Sequence, residues 1–425
     1  MSGSGERTTS TTASTVRILQ KLLRNKDLGR YVVPIVPDEA RTFGLESLFR
    51  AAGIYAPDGQ RYTPVDDGSL LPYREETDGQ VLQEGICETG AMASFLAAGT
   101  AYAMHGVPTI PFYMFYSIFG FQRVGDMIWS CADMMCRGFL LGGTAGRTTL
   151  NGEGLQHQDG HSQLVASTIP NLKSYDPAFA FELALIIRDG IYRMYTLQEQ
   201  IFYYLTVYNE VYPMPAAPAE IENVEAGVLA GIYCFKRSEA ARGGQSDTGH
   251  AVPDAETETA GNNMVQLLGS GSIMLQVLEA ATMLEDMGIA ANVWSVTSYN
   301  ELQRDALSAE RWNRLHPQAV PRKSYLSRVL DGETGVFVAA SDYMKAVPNG
   351  IAPWIPGRYA VLGTDGFGLS ESRDVLRDHF EISPAHIVVA ALHALSEEGI
   401  YSPEKVAETI SSLGIDAGKI DPVTM

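Results

Sequence analysis

The fold class follows from residues 107–137, VPTIPFYMFYSIFGFQRVGDMIWSCADMMCR. This stretch joins a strand-like apolar run to a helical one. The run from Val107 to Phe115 is short, apolar and rich in aromatic residues, which predicts a strand. The run from Phe121 to Arg137 is longer and predicts a helix. A strand followed directly by a helix is the unit from which α/β folds are built.

The same alternation continues on both sides of this stretch. Further helices are predicted over residues 15–24, 83–104 and 176–188, and from about residue 273. Further strands are predicted over residues 31–37 and 201–207, in MVQLLG from residue 264, in ANVWSV from residue 291, and in GVFVAA from residue 335. The sequence therefore predicts an α/β protein with no repeat of fixed period.

Composition shifts divide the chain into segments. Residues 1–14 are rich in Ser, Thr and Gly and predict a flexible lead-in without the apolar core of a signal peptide. Residues 15–215 form the first predicted domain, and residues 264–425 form the second. Between them, residues 216–263 read as a linker with a polar insertion over 236–263.

Charge and cysteine content exclude several classes of protein. The formal net charge of −19 argues against nucleic acid or an anionic membrane as the main partner. The apolar segment from Gly90 to Met104 is short and rich in small residues, which predicts a buried helix and not a membrane span. The cysteines show no paired spacing and predict a reduced, cytoplasmic protein; they are Cys87, Cys131, Cys136 and Cys234.

The glycine-rich stretch LNGEGLQHQDGHS, residues 150–162, concentrates groups that handle protons. Glu153, His157, Asp159 and His161 supply acids, bases and hydrogen-bond donors, and the glycines allow close approach of a ligand to the main chain. A hydrogen-bonded turn explains the composition equally well. A metal site on the H-x3-H spacing of His157 and His161 is the weaker alternative, because no cysteine or third histidine lies nearby at ligand spacing.

Two acidic clusters are further candidates. Asp38 and Glu39 directly follow the strand over residues 31–37, at the end of a strand where α/β sheets bind ligands, although a helix N-cap is the simpler explanation. Glu84 and Glu88 are spaced to share one face of the helix predicted over 83–104. Glu88 precedes an almost wholly apolar run, and a carboxyl group at such a position can hold and donate a proton.

Two more motifs allow both structural and functional interpretations. The aromatic run FYMFYSIFGFQR, residues 112–123, is ordinary core by composition, but its rings could also face a flat heterocycle at the end of the strand. The GSGS turn at residues 269–272 could bind a phosphate at a helix N-terminus. A tight crossover is the favoured interpretation, because the third glycine and the downstream acid of a dinucleotide site are absent.

A set of motifs, in order along the chain, resembles one family. They are PDEARTFG, LQEGICETGA, IPFYMFYSIFGFQR, RGFLLGGTAGRTTLNGEGLQHQDGHS, SYDPAFAFE, ERWNRLHP and LGTDGFG. They closely resemble the pyruvate-decarboxylating first component of the pyruvate dehydrogenase complex, of the homodimeric, transketolase-like type. The resemblance runs from about residue 10 to 391 and covers the middle and C-terminal domains of that family.

The resemblance implies a thiamine diphosphate-binding, transketolase-like α/β fold. A pyrimidine-binding domain is expected over residues 15–215, and a three-layer transketolase C-terminal-like domain over residues 264–425. The family holds the diphosphate and Mg²⁺ on an amino-terminal domain whose glycine-aspartate motif has no match here. We therefore expect a separately encoded subunit or a truncated chain that does not hold thiamine diphosphate tightly without a diphosphate-binding partner chain.

Site residues carry over from the resemblance. Glu88 resembles the glutamate that hydrogen-bonds the aminopyrimidine ring nitrogen and activates the cofactor. Phe119 resembles the ring that stacks on the pyrimidine, and Tyr116 lies beside it in the same motif. Asp38 and Glu39 match an acidic pair lining the same pocket.

The glycine-rich stretch also carries over. His157 corresponds to the histidine near the reacting substrate, where it can orient a carboxylate or donate a proton. Glu153 matches a neighbouring acid, while Asp159 and His161 are expected to brace the stretch. Two positions depart from the usual pattern: Cys87 stands where asparagine is common, and Leu369 where arginine is common.

The leading functional hypothesis is a β-like subunit of a two-chain thiamine diphosphate enzyme that decarboxylates pyruvate and passes the two-carbon unit to a lipoyl-bearing or acyl carrier protein. One alternative is a transketolase-type transfer of a two-carbon unit from a ketose phosphate to a carrier protein. A second is a catalytically silent regulatory subunit. Because such folds bind the cofactor between chains, a homodimer or an α2β2 assembly is expected.

Overall fold

The computed structural model describes residues 3–37, 40–65, 73–219, 223–238 and 263–424. Contacts divide the chain into two compact units, one comprising residues 1–150 and 156–216, the other residues 151–155 and 217–425. Asp38, Glu39 and most of the predicted 236–263 insertion lie outside the described residues.

The described part of the first unit contains a six-stranded parallel sheet of order β5-β2-β6-β7-β9-β8. Its strands are β2 Val32–Val36, β5 Leu82–Gln83, β6 Ile110–Tyr116, β7 Phe139–Gly143, β8 Leu172–Tyr175 and β9 Phe202–Thr206. Outside this sheet, β3 Ile54–Tyr55 pairs parallel with β4 Glu75–Glu76. The central strands are buried along nearly their whole length, which explains their continuous apolar composition. All the strands run in one direction, so their carboxyl ends form a single edge.

Helices connect these strands. They are α1 Thr11–Leu23, α2 Glu46–Ala52, α3 Glu88–Met104, α4 Ser117–Asp133, α5 Ser162–Ala166 and α6 Ala180–Ile191. The helix predicted over residues 83–104 begins only at Glu88, because Leu82–Gln83 forms the edge strand β5 and pairs with β2. The predicted common helical face of Glu84 and Glu88 is therefore wrong, since Glu84 lies outside the helix.

The prediction of a flexible lead-in over residues 1–14 is also wrong for residues 8–14. Strand β1 Thr8–Thr9 pairs antiparallel with β10 Tyr212–Pro213. The hydroxyl of Ser10 then accepts a hydrogen bond from the Ala13 amide and caps α1, which begins inside the segment. The Ser and Thr content of this segment was the basis for predicting flexibility. In the structure, such a side chain instead accepts a backbone hydrogen bond at the start of a helix.

The described part of the second unit contains a five-stranded sheet of order β11-β13-β12-β14-β15. Its strands are β11 Ile232–Lys236, β12 Met264–Gly269, β13 Ala290–Val296, β14 Val336–Ala340 and β15 Tyr359–Leu362, and only β11 pairs antiparallel. Its helices are α7 Val224–Ala230, α8 Met274–Asp286, α9 Tyr299–Leu315, α10 Tyr325–Val329, α11 Ala346–Asn349, α12 Arg373–His379, α13 Pro384–Glu397 and α14 Pro403–Ser412.

The GSGS turn joins β12 to α8. A Cβ atom on Gly269 would lie 3.0 Å from the sulfur of Met274 and from a methyl group of Val277. Such close packing of strand against helix is what a tight crossover requires. Of the helices in the described ranges, none has both the length and the apolar composition needed to cross a membrane.

Candidate active site

The candidate site lies at the carboxyl edge of the first unit's sheet, where β6 ends at Tyr116 and β7 ends at Gly143. A Cβ atom on Gly143 would lie 2.6 Å from the Phe43 ring, so only glycine lets that ring approach the end of the strand. The Phe43 ring in turn lies 5.0 Å from that of Tyr116, measured between centroids. This edge is where α/β sheets bind ligands.

Three rings meet at this edge. The ring centroid of His157 lies 5.2 Å from those of both Tyr116 and Phe119. Tyr116 and Phe119 are 5.8 Å apart with their planes nearly perpendicular. The structure therefore brings together three of the predicted site residues, each only partly buried, in edge-to-face contacts that leave flat aromatic surface for a ligand.

Glu88 is the first residue of α3. The preceding Cys87 caps the helix, its sulfur accepting a hydrogen bond from the Gly90 amide at 3.3 Å. The Glu88 side chain is 12% exposed, and the positive end of the helix dipole favours its negative charge. Its main-chain carbonyl accepts a hydrogen bond of 3.3 Å from the Tyr113 hydroxyl. Burial, and then the charge of Glu88, raise the pKa of Tyr113, so this hydroxyl stays protonated.

Arg123 connects Glu88 to the aromatic rings. Its Nη1 lies 2.6 Å from Oε1 of Glu88, and its guanidinium carbon lies 3.8 Å from the centroid of the Phe119 ring. Sequence reasoning missed this residue as part of the site. The available signal was its spacing from Phe119, because residues i and i+4 of a helix share one face.

The stretch after β7 is held by a buried carboxylate. Asp159 accepts hydrogen bonds of 3.0 Å from the amides of His161 and Ser162, and another from the Ser162 hydroxyl. The hydroxyl of Tyr204 donates to that of Ser162 at 2.9 Å. The Nε2 atom of His161 lies 2.7 Å from the side-chain nitrogen of Gln122 on α4. These contacts agree with the bracing role expected of Asp159 and His161.

Not every predicted residue is placed in this cluster. Asp38 and Glu39 are outside the described residues, so their role stays a prediction. Glu153 is exposed and belongs to residues 151–155 of the second unit, where the neighbouring Gly152 amide donates to the Glu371 carbonyl at 2.9 Å. Within the described ranges, no three His, Cys, Asp or Glu side chains form a group able to hold a metal ion.

The residues present fit the aminopyrimidine part of thiamine diphosphate. Glu88 offers carboxylate oxygens as hydrogen-bond acceptors beside a set of flat aromatic faces. Arg123 now occupies Oε1 of that carboxylate and covers the Phe119 ring. Its side chain is 47% exposed and is therefore not locked in this position by packing. The arrangement can thus accept a flat nitrogen heterocycle and hold a proton between its ring nitrogen and Glu88.

Comparisons with known proteins identify the family of the chain. Residues 1–215 match the family model described as "Pyruvate dehydrogenase E1 component middle domain", and residues 251–383 match "Transketolase-like TK C-terminal domain". The chain is 51% identical over 425 residues to the pyruvate dehydrogenase E1 component of Pseudomonas aeruginosa, covering all of this chain and 46% of that protein. It is 49% identical over 416 residues to that of Escherichia coli, covering 97% of this chain and 44% of that protein. The chain thus spans about half the length of the curated relatives it matches.

Solved structures confirm the predicted transketolase-like fold. Transketolase from Campylobacter jejuni aligns with a TM-score of 0.62 at 18% identity, covering 90% of this chain and 46% of that one. A structure described as "Split gene transketolase, inactive beta4 tetramer" aligns with a TM-score of 0.58 at 16% identity, covering 91% of this chain and 98% of that one. The family model matches residues 1–215, which is half of the chain, and the chain therefore belongs to the pyruvate dehydrogenase E1 component family.

Proposed function

We propose that this chain supplies the pyrimidine-binding half of a thiamine diphosphate-dependent pyruvate dehydrogenase. In this proposal the enzyme decarboxylates pyruvate and transfers the two-carbon unit to a lipoyl group on a carrier protein. The observation that carries the proposal is the meeting of Glu88, Phe119, Tyr116 and His157 at one edge of a parallel sheet, with Arg123 linking the carboxylate to the rings.

In this proposal Glu88 holds the proton that activates the cofactor. The bound cofactor supplies the electron sink that decarboxylation of a 2-oxo acid requires. Glu88, the first residue of α3, would hold the aminopyrimidine ring nitrogen by a hydrogen bond. Arg123 contacts both Oε1 of Glu88 and the Phe119 ring, so it would have to move for Glu88 to hold the ring nitrogen through that oxygen and for Phe119 to offer its face to the heterocycle.

His157 is the proposed proton donor and anchor on the substrate side. Its ring is held by edge-to-face contacts with Tyr116 and Phe119. An imidazole in this position can donate a hydrogen bond to a carboxylate or transfer a proton during acylation of the carrier. The family resemblance further proposes Asp38 and Glu39 as an acidic pair for cofactor binding, and Glu153 as an acid that precedes His157 in the glycine-rich stretch.

We propose further that a diphosphate-binding partner chain holds the diphosphate and Mg²⁺ and completes an assembly of α2β2 type. The curated relatives are single chains of which this chain covers 46% and 44%. The split gene transketolase supports a two-chain arrangement, because a chain of this extent forms a separate polypeptide in that protein.

The test is calorimetric titration of thiamine diphosphate and Mg²⁺ into this chain alone, and into its mixture with a diphosphate-binding domain of the same family. The proposal predicts tight binding only in the mixture, followed by consumption of pyruvate. Binding with consumption of a ketose phosphate and not of pyruvate would instead identify the transketolase-type transfer. Absence of binding in any mixture would identify the silent subunit and refute the proposal.

A further inference from the structure

Part of the glycine-rich stretch is held by the second unit, to which residues 151–155 belong. The Gly152 amide donates to the Glu371 carbonyl at 2.9 Å, and the Ser370 hydroxyl donates to the Gly152 carbonyl. Gly152 has a φ of +81°, a conformation that favours glycine. The position of this segment therefore depends on what holds the two residues that contact it.

Those two residues follow the LGTDGFG motif, residues 362–368, whose first half is fixed to the sheet. The Thr364 amide donates to the Tyr343 carbonyl at 2.9 Å. The buried Thr364 hydroxyl donates to the Asp342 carbonyl at 2.8 Å. Both acceptors lie just after β14, so the motif begins from an anchored position at the carboxyl end of a strand.

A distant segment of the chain supports the turn in the second half of the motif. Gly366 has a φ of +111°, and a Cβ atom on it would lie 2.6 Å from the Pro422 carbonyl oxygen. Only glycine therefore lets the two backbones approach this closely. Residues Pro422–Thr424 form a short helical turn, and the Asp421 carboxylate accepts from the Val423 amide at 3.0 Å. The segment against which Gly366 packs is therefore ordered.

The supporting segment is also tied to helix α12. The Lys419 ammonium donates to the Asp378 carbonyl and lies 3.9 Å from the carboxylate of the same residue. Asp378 lies in the last turn of α12. Residues 419–423, which we name the clasp, thus contact both ends of the segment 366–378. The residues that hold Gly152 lie between those two contacts.

We infer that the clasp positions residues 151–155 for catalysis, with Lys419 as the positioning residue that fastens it. These residues include Glu153 and lead directly into His157, so their displacement would move two groups that we propose for the reaction. The Asp378 side chain is 65% exposed, and a charge pair so open to solvent contributes little to global stability. Loss of the pair should therefore act locally. The catalytic effect rests on the proposed function, whereas the effect on residues 151–155 does not.

The experiment replaces Lys419 by Met, which keeps the length of the side chain and removes its charge. Lys419→Arg restores the charge, and Lys405→Met is the matched control at an exposed position of the same unit. The first measurement is hydrogen–deuterium exchange in the full chain, over a peptide that contains residues 151–155. The second is pyruvate turnover in the mixture with the diphosphate-binding domain.

In Lys419→Met, exchange at residues 151–155 should be faster by about tenfold, because local opening becomes easier while the strands of the second unit stay protected. The value of kcat should fall by about tenfold, as expected when a catalytic segment is misplaced. The KM for pyruvate should change by less than about twofold, because substrate binding is not lost. Lys419→Arg should regain both values, and Lys405→Met should behave as the unaltered chain does.

Gly366→Ala tests the other contact of the clasp, since the added methyl group would displace the Pro422 carbonyl. Gly399→Ala is its control, because Gly399 also has a positive φ of +72°, but no atom of the described chain lies within 4 Å of the added Cβ. Gly366→Ala should speed exchange at residues 151–155, and Gly399→Ala should not.

Unchanged exchange at residues 151–155 in both Lys419→Met and Gly366→Ala overturns the inference. Exchange that becomes equally faster in β12 and β14 shows a loss of global stability and also overturns it. Faster exchange at residues 151–155 with an unaltered kcat overturns the positioning role. If the unaltered chain turns over no pyruvate in the mixture, the proposed function fails, and the exchange result alone then decides for or against the clasp.

Discussion

Arg123 is the ion-pair partner of Glu88, with Nη1 of the arginine 2.6 Å from Oε1 of the glutamate. The two residues are 35 positions apart; Glu88 is the first residue of α3, Arg123 lies within α4, and both helices contact β6. The arginine thus occupies an oxygen of the carboxylate that we propose as the hydrogen-bond partner of the cofactor. Arg123 and the cofactor therefore compete for Glu88.

Replacing Arg123 by Gln tests this competition. We expect the affinity for thiamine diphosphate in the reconstituted mixture to rise, because no arginine then has to leave Glu88 and the Phe119 ring before the cofactor binds. The free energy of unfolding should fall by less than about 1 kcal/mol, since the arginine is half-exposed and water screens the pair. Arg61→Gln, which breaks an exposed pair with Asp58, is the control. A lower affinity than that of the unaltered chain would instead make Arg123 a cofactor contact.

His157→Gln should separate substrate chemistry from cofactor binding. The imidazole contacts the rings of Tyr116 and Phe119. Because Glu88 keeps its position in this variant, the affinity for the cofactor should stay unchanged. The rate of carrier acylation should fall about 100-fold, as expected for loss of a proton donor. His161→Gln serves as the control and should reduce the rate less than tenfold, because this histidine contacts Gln122 on the neighbouring helix. Equal rates for the His157 variant and the unaltered chain would remove His157 from the mechanism.

Asp159→Ala should destabilise the first unit. The carboxylate is fully buried and accepts from two amides and one hydroxyl, all of which lose their partner. Loss of a buried, charged acceptor of this kind costs about 3 kcal/mol. Chemical denaturation measures the loss, with the exposed Asp126→Ala as control. A loss of less than about 1 kcal/mol would show that the stretch does not depend on this anchor.

Protonation of His386 should weaken the second unit at acidic pH. Burial, followed by the positive charge of Lys419, lowers the pKa of His386 below its ordinary value of 6.5. The unfolded chain therefore binds this proton at higher pH than the folded chain does, and stability present above pH 6.5 is lost as the pH falls. Unfolding free energy measured between pH 7 and pH 5 should decline less steeply for His386→Gln. The exposed His393→Gln is the control, and identical slopes for all three proteins would contradict the assignment.

Patterns local in sequence predicted much of the fold. Strand β6 and helix α4 followed from one apolar run and one helical run, because parallel sheets bury strands on both faces. The start of α3 was misplaced for a local reason. Cysteine is not among the common N-cap residues, so the role of Cys87 gave no boundary signal, and the two-residue strand before it is too short to recognise.

The site was less predictable because it depends on contacts distant in sequence. Phe119 and Tyr116 were identified through the family resemblance, whereas His157 was first singled out by the composition of residues 150–162. The structure brings the three together. The pairing of Arg123 with Glu88 joins two helices and has no sequence signature. The anchoring of Gly152 beside Glu371 likewise joins segments more than 200 residues apart.

The most direct test of the central claim is the pyruvate turnover of Glu88→Gln in the mixture with the diphosphate-binding domain. Glu84→Gln is the control, because Glu84 precedes α3 and accepts a hydrogen bond from Ser94. We predict that Glu88→Gln lowers kcat by about 100-fold or more, since glutamine cannot hold the activating proton, and that Glu84→Gln leaves kcat unchanged. A Glu88→Gln variant that turns over pyruvate at the rate of the unaltered chain would contradict the account.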